Sequence, residues 1–393
     1  MIVVGGTYLE VCLRPEWRRL FGSGLRAACA VAELSPGTVV HTYGFEEWKK
    51  DIEYSAAALQ CEAKVTSIKD AISFSYDHPL SSAIQHPQSP KQNSSLRVSG
   101  DTVLRFGFVE GDAIVAAEYA VYDPQFCDPA VSFRSNGSVA KHLAVVLSEE
   151  EAAALGHDNR PAIQALMEHH GAEVIVLKCG PRGAIVHVRE GNTTEIHPYW
   201  SNSVFKIGSG DVFSAAFALY WGERRINPAT AADLASRSVA QFVDGHNLPL
   251  HEASYDKDRS AVMPATNNKI YLAGPFFDLA QRWMIEETLQ TLKRLGATVF
   301  SPLHEVGTQQ SSVEIAHADL RGLVACSKVL ALLDGMDPGT IFEVGYARAL
   351  NIPVVALVER FEPEHLTMFE GSGCEIMHDF TTAIYRTIWT KGQ

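Results

Sequence analysis

Short apolar runs alternate along this chain with stretches of helical periodicity. Ile2-Val-Val4, Thr38-Val-Val-His-Thr-Tyr43, Thr102-Val-Leu-Arg-Phe-Gly-Phe108, Ala113-Ile-Val115, Ala144-Val-Val-Leu147 and Glu173-Val-Ile-Val-Leu177 read as strands. Most are followed by a helical pattern, such as Leu25 to Leu34 after the glycine cluster Phe21-Gly-Ser-Gly24. Strand then helix, repeated, predicts an α/β fold. Residues 85 to 95 carry no apolar side chain and two prolines, and read as an exposed, mobile loop. From Pro249 to Asn268 the pattern lapses into Tyr255-Asp-Lys-Asp-Arg-Ser260 and Pro264-Ala-Thr-Asn-Asn268. We therefore expect one domain at 1–250, a linker at 251–268 and a second domain at 269–393. The alternation restarts at Lys269-Ile-Tyr-Leu272, with helices expected near 278–295, 313–325 and 341–350 and strands at 298–300, 328–333 and 353–358. Neither half contains a tandem repeat.

A length of 393 residues supports this division, since each half is long enough to bury its own core. A 46% hydrophobic and 20% charged composition is that of a globular chain. The net charge of -13 argues against general affinity for nucleic-acid backbone or anionic membrane, though not against small anionic substrates at a local site. Seven cysteines occur without a Cys-x-x-Cys pair and fit reduced thiols in a cytoplasmic protein. Met1-Ile-Val-Val-Gly-Gly lacks a basic leader and reads as a first strand, and no apolar run approaches the roughly 18 residues of a membrane span.

Candidate chemistry concentrates in two stretches. The first is Asp334-Gly-Met-Asp-Pro-Gly-Thr-Ile-Phe-Glu343, after the apolar run Lys328-Val-Leu-Ala-Leu-Leu333. It sets Glu343 in the first turn of a helix just past a strand's carboxyl end, where open α/β sheets bind ligands. Taken alone, such a Glu does no more than complement a helix dipole. Here Asp337 lies six residues upstream across a Pro-Gly turn, and Asp319 falls on the preceding helix, so several carboxylates gather at one sheet edge. Lys269-Ile-Tyr-Leu-Ala-Gly-Pro-Phe-Phe277 ends a strand in a turn at Gly274-Pro275, with Phe276 and Phe277 offering faces on which a base can stack.

The second stretch is Ile207-Gly-Ser-Gly-Asp211, which opens the apolar helix Val212 to Tyr220. The backbone N–H groups of Gly208, Ser209 and Gly210 can converge on an anion at the helix N-terminus, and Asp211 in the first turn can take a proton from an attacking hydroxyl.

The N-terminal half resembles the ribokinase or PfkB-type sugar and nucleoside kinases over most of its length. The resemblance rests on Gly208-Ser-Gly-Asp211, Leu177-Lys-Cys-Gly-Pro-Arg-Gly-Ala184, Leu147-Ser-Glu-Glu-Glu-Ala152 and Tyr122-Asp-Pro124, in family order. It implies a ribokinase-like α/β sandwich that takes ATP and Mg2+, with Asp211 as base and Glu151, Gly180 and Gly183 on the nucleotide side. The family pattern is altered at Phe205-Lys206, at Ser148 ahead of Glu151 and at Phe21-Gly-Ser-Gly-Leu25. Lys206 can serve instead as a phosphate-binding cation. Two readings follow: a kinase acting on a sugar or nucleoside, or a retained fold that senses such a ligand and gates the second domain.

Residues 269 to 393 resemble the nucleoside 2-deoxyribosyltransferase family through Tyr271-Leu-Ala-Gly-Pro-Phe276, Asp319-Leu-Arg-Gly322 and Asp337-Pro-Gly-Thr-Ile-Phe-Glu343-Val-Gly-Tyr-Ala347. The resemblance implies a smaller flavodoxin-like, doubly wound parallel sheet. Glu343 becomes the nucleophile, Asp319 the acid handling the base, Asp337 a binding carboxylate and Tyr271 the partner that positions Glu343. Gly339 and Thr340 join Gly274, Pro275, Phe276 and Phe277 on the substrate side. Glu343 would attack C1′, the base would leave, and a glycosyl-enzyme ester would pass to a second base or to water, with no metal needed. Gly371-Ser-Gly-Cys-Glu-Ile-Met377 matches the segment that reaches a neighbouring subunit's site, which implies a homo-oligomer with Glu375 and Met377 near the sugar. Glu375 there favours a nucleoside over a 5′-phosphorylated nucleotide.

Overall fold

The computed structural model describes residues 1–125, 131–153, 163–253, 259–263, 269–307 and 311–392. The chain divides into two compact units, Met1–Ala261 and Val262–Gln393. Most of the linker expected at 251–268 falls on 254–258 and 264–268, outside the described residues.

The N-terminal unit is an α/β sandwich around a nine-stranded sheet. From one edge, its order is Thr193–Ile196, Ala184–Val188, Val174–Lys178, Val139–Ser148, Ala113–Asp123, Leu96–Phe106, Ile2–Val4, Val39–Phe45 and Glu62–Ile68. Every pairing from Val174–Lys178 onward is parallel, and the first two strands, Thr193–Ile196 and Ala184–Val188, pair antiparallel. The central runs are apolar because helices cover both faces of a parallel sheet. Val3, Val40, Leu104, Val121, Val145 and Val176 are all fully buried. A second, four-stranded sheet, ordered Trp17–Leu20, Leu9–Cys12, Ser73–Tyr76 and Ile84–His86, has no counterpart in the expected elements. Its last strand takes in Gln85 and His86 from the stretch expected to be a loop, because backbone pairing with Ser73–Tyr76 supplies what side-chain periodicity does not.

The C-terminal unit is a five-stranded, all-parallel sheet ordered Thr298–Phe300, Lys269–Ala273, Lys328–Leu332, Val354–Leu357 and Glu375–Met377. The chain leaves its first strand to one side and returns to the other, so the crevice at the carboxyl ends opens between Lys269–Ala273 and Lys328–Leu332. The expected helices are Leu279–Arg294, Ser312–Val324 and Pro338–Ala349. The first two begin with capping boxes, Asp278 with Gln281 and Ser311 with Glu314. The third begins earlier than expected, because Asp337 is its N-cap and Pro338 occupies the first helical position, where the missing N–H costs nothing. Glu343 therefore lies in the second turn rather than the first.

Among the described residues no helix is long and apolar enough to cross a membrane. The six described cysteines are free and buried; Cys127 lies outside the described residues.

Candidate functional site

At the crevice of the C-terminal unit, Tyr271 projects from the middle of the first strand and is fully buried. Its hydroxyl donates a 2.5 Å hydrogen bond to Oε1 of half-buried Glu343. Burial, then repulsion from Asp319 and Asp337, outweighs that bond and raises Glu343 to about 7. Burial and the adjoining carboxylate push the Tyr271 phenol far above its usual range, so it remains a donor. Asp319 projects from the helix Ser312–Val324, close enough to act on both groups. Its Oδ1 is buried with no hydrogen-bond partner, and burial raises its carboxyl. The arrangement holds a carboxylate poised at neutral pH, a fixed donor behind it, and a second carboxyl with an oxygen still to be satisfied.

Asp337 is given a different task. Its Oδ2 accepts from Thr340 N at 2.7 Å and from Thr340 Oγ1 at 2.9 Å, so it starts the helix that carries Glu343. Thr340 is buried by this capping, and exposed Gly339 sits against the same carboxylate. Asp334 accepts from Glu359 N at 3.0 Å and Arg360 N at 2.8 Å, joining two loops at the carboxyl edge. Gly274 packs between Ile285 and Leu332, too close for a larger residue to fit without a shift. Pro275 is buried, while Phe276 and Phe277 stack on one another with centroids 5.5 Å apart and Phe277 is 73% exposed.

Glu375 and Met377 lie elsewhere. The register pairs Leu272 with Leu330, Leu330 with Val355 and Val355 with Glu375, so these side chains share one sheet face. Tyr271, one residue out of step, points to the other. Met377 follows Glu375 by two and shares its face. Within one chain, then, neither residue joins Tyr271 on the face that meets Glu343. Glu375 instead pairs with Arg386 of the helix Phe380–Trp389 at 2.9 Å, and its carboxyl is raised by burial against that attraction.

In the N-terminal unit, Gly208 adopts φ +81 at the N-cap of the helix Ser209–Phe217. A Cβ there would run into the Arg26 guanidinium. Arg26 is 2% exposed and bonds Asp211 Oδ2 at 2.6 Å and also Glu10. Gln125 donates to the other oxygen of Asp211 at 2.8 Å. Burial raises the Asp211 carboxyl against the pull of Arg26. The Arg26 guanidinium goes above its already high value, since Glu10 and Asp211 outweigh its burial.

Two lysines flank the same turn. Lys178 bonds Asp123 at 2.8 Å, and Ser214 bonds the same Asp123 oxygen at 2.6 Å. Lys206 is half-buried and lowered by burial and by Lys178. Glu151 and Ser148 cap one another: Glu151 accepts from Ser148 N at 2.6 Å, and Ser148 Oγ accepts from Glu151 N at 3.1 Å. Gly180 and Gly183 form the turn after the strand Val174–Lys178, both at positive φ, and a side chain at Gly183 would strike the Ile196 carbonyl.

Gly208, Gly210, Lys206 and Lys178 are the groups at this turn that would hold an anionic phosphate, while the Ser209 N–H already donates to Lys206 O at 3.1 Å. Among the described residues no group of three or more His, Cys, Asp or Glu is placed to hold a metal by itself. Arg26, Glu10 and Gln125 escape the sequence reading. One signal for Arg26 was visible: it is the single charged residue of the helix Gly22–Val31, and a cation in so apolar a segment calls for a buried partner.

Residues 270–377 match the family model described as nucleoside 2-deoxyribosyltransferase, and this part of the chain is a domain of that family. No curated protein matches the chain. Among solved structures the chain is similar to a pyrophosphate-dependent kinase in the ribokinase family, complexed with a pyrophosphate analog and myo-inositol. That match has 15% identity, covers 65% of this chain and 99% of that one, and has a TM-score of 0.48. It is similar as well to ribokinase from Thermotoga maritima (18% identity, 65% and 97% covered, TM-score 0.48). A third is fructokinase from Vibrio cholerae O395 in a fructose, ADP and calcium ion bound form (15% identity, 62% and 92% covered, TM-score 0.46). Likeness at these values bears on neither activity nor substrate.

Proposed function

We propose that the C-terminal unit breaks or exchanges the N-glycosidic bond of a nucleoside or deoxynucleoside, with Glu343 as nucleophile. The observation that carries this reading is the 2.5 Å bond from Tyr271 to Glu343, beside the unpartnered Oδ1 of Asp319. Tyr271 holds one oxygen of Glu343 and leaves the other to attack C1′. The C1′–N bond breaks as the C1′–O bond forms, and the departing base receives a proton from Asp319, whose raised carboxyl suits an acid. A second base or a water then attacks C1′ and returns Glu343 as a carboxylate. The step draws on no metal. Nucleoside metabolism in the cytoplasm, with assembly through the C-terminal unit, is the setting that suits it.

Incubation with a panel of nucleosides and deoxynucleosides, with and without an acceptor base, tests this by chromatography of the released base. We expect release that disappears in Glu343→Ala. No release from any substrate, or equal release in the variant, rejects the reading.

For the N-terminal unit the leading reading is phosphorylation of a sugar or nucleoside by ATP, with Asp211 as base and Gly208 to Gly210 on the transferring phosphate. The hold of Arg26 and Gln125 on both Asp211 oxygens favours the second reading, a ligand sensor that gates the glycosyl chemistry. ATP consumption in wild type and Asp211→Ala separates them. Turnover that falls with the substitution supports the kinase; equal, negligible turnover with retained ligand binding supports the sensor.

A further inference from the structure

We infer that Phe300 is a positioning residue for the glycosyl chemistry, a single ring that fixes both Tyr271 and the helix carrying Asp319. The inference rests on the reading of Glu343 as nucleophile. Phe300 ends the edge strand and is the direct cross-strand partner of Tyr271, so their side chains leave the same sheet face. Their rings are stacked, with centroids 5.5 Å apart and planes 14° from parallel. Lys269, two residues before Tyr271 on that face, sets its ammonium 5.0 Å from the Phe300 centroid.

The far edge of the Phe300 ring is met by Gly322, where an added Cβ would overlap the ring atoms. Gly322 follows Asp319 by three in the helix Ser312–Val324, so the two share a helix face. The ring therefore sets how closely that helix, and Asp319 with it, approaches the sheet. It also fixes the plane of the Tyr271 phenol, hence the direction of the 2.5 Å bond to Glu343. A smaller residue at 300 would free both at once. An ordinary core aromatic would contribute stability without acting on the protonation of Glu343.

The experiment is a double-mutant cycle on the full chain, reading kcat, KM and the pH profile of base release for Phe300→Leu, Tyr271→Phe and the pair. We expect Phe300→Leu to lower kcat by about ten- to a hundredfold, the cost of misplacing a reacting group by up to an ångström. KM should hold within about twofold and the ascending pH limb should move upward, as in Tyr271→Phe. In the Tyr271→Phe background, Phe300→Leu should move that limb no further. Gly322→Ala should lose activity that Phe300→Leu partly restores, since the smaller side chain gives the new methyl room. Proton NMR adds a readout independent of turnover: the short phenol–carboxylate bond should give a far-downfield resonance that Phe300→Leu weakens. An unmoved pH limb with an unchanged resonance, or equal effects in both backgrounds, overturns the inference alone. Base release that persists in Glu343→Ala overturns the nucleophile reading and the inference with it.

Discussion

Glu343 and Asp211 both lie in the first two turns of a helix that starts beside the carboxyl ends of parallel strands, yet their surroundings differ in kind. Glu343 receives one hydrogen bond from a neutral phenol and is raised to about 7 by burial and two further carboxylates. Asp211 is held at one oxygen by the buried guanidinium of Arg26 and at the other by the Gln125 amide. A carboxylate whose charge is opposed is ready to give that charge to a reacting carbon. Asp211 is raised by burial as well, but a permanent cation opposes that rise and occupies the oxygen a general base would use. The difference is carried by the partners of each carboxylate, not by its place on a helix.

Substitutions break the comparison in order of expected effect. Glu343→Ala should lower base release by at least about a thousandfold, because it removes a nucleophile outright. Arg26→Ala leaves Glu10 and Asp211 uncompensated in the interior and should cost about 3–5 kcal/mol in the unfolding of the N-terminal unit, read from urea melts. If the melt does not move, the Arg26 pair is not the fixture described. Tyr271→Phe removes the bond that restrains the rise of Glu343, so the ascending limb of the rate profile should shift to higher pH. A shift of about one unit slows the reaction roughly tenfold below the limb. The smallest effect is on stability. A carboxyl raised on folding contributes stability that is complete below its unfolded pKa and is lost as pH rises through about 7. Glu343→Gln should therefore melt higher than wild type at pH 8, by a margin that shrinks as the pH falls to 5. The opposite pH dependence would mean that the Glu343 charge is favoured by its site.

Much of this was legible in the sequence where the signal is local. Val329 to Leu332 is buried at every position, as its unbroken apolar run predicts for a strand covered on both faces. Asp337 before Pro338 is a helix start written in the chain, although the helix was expected a few residues later. The small sheet of the N-terminal unit left no such trace, since strands such as Trp17–Leu20 alternate too briefly to show a period. Arg26 and Asp211 are 185 residues apart, and only folding reveals that they meet. Glu375 teaches the same point from the other side. The resemblance implies that it reaches a neighbouring subunit's site, and within its own chain the sheet register pairs it with Arg386, on the face opposite Tyr271.

The central claim is that Glu343 forms a covalent bond to the sugar, and trapping that ester tests it most directly. A nucleoside with fluorine at C2′ destabilises the oxocarbenium-like transition states and slows turnover of the intermediate. After incubation, the account predicts a mass increase equal to the fluorinated sugar on the peptide that contains Glu343, and none in Glu343→Gln. Base release with no adduct, or an adduct on another residue, would contradict it.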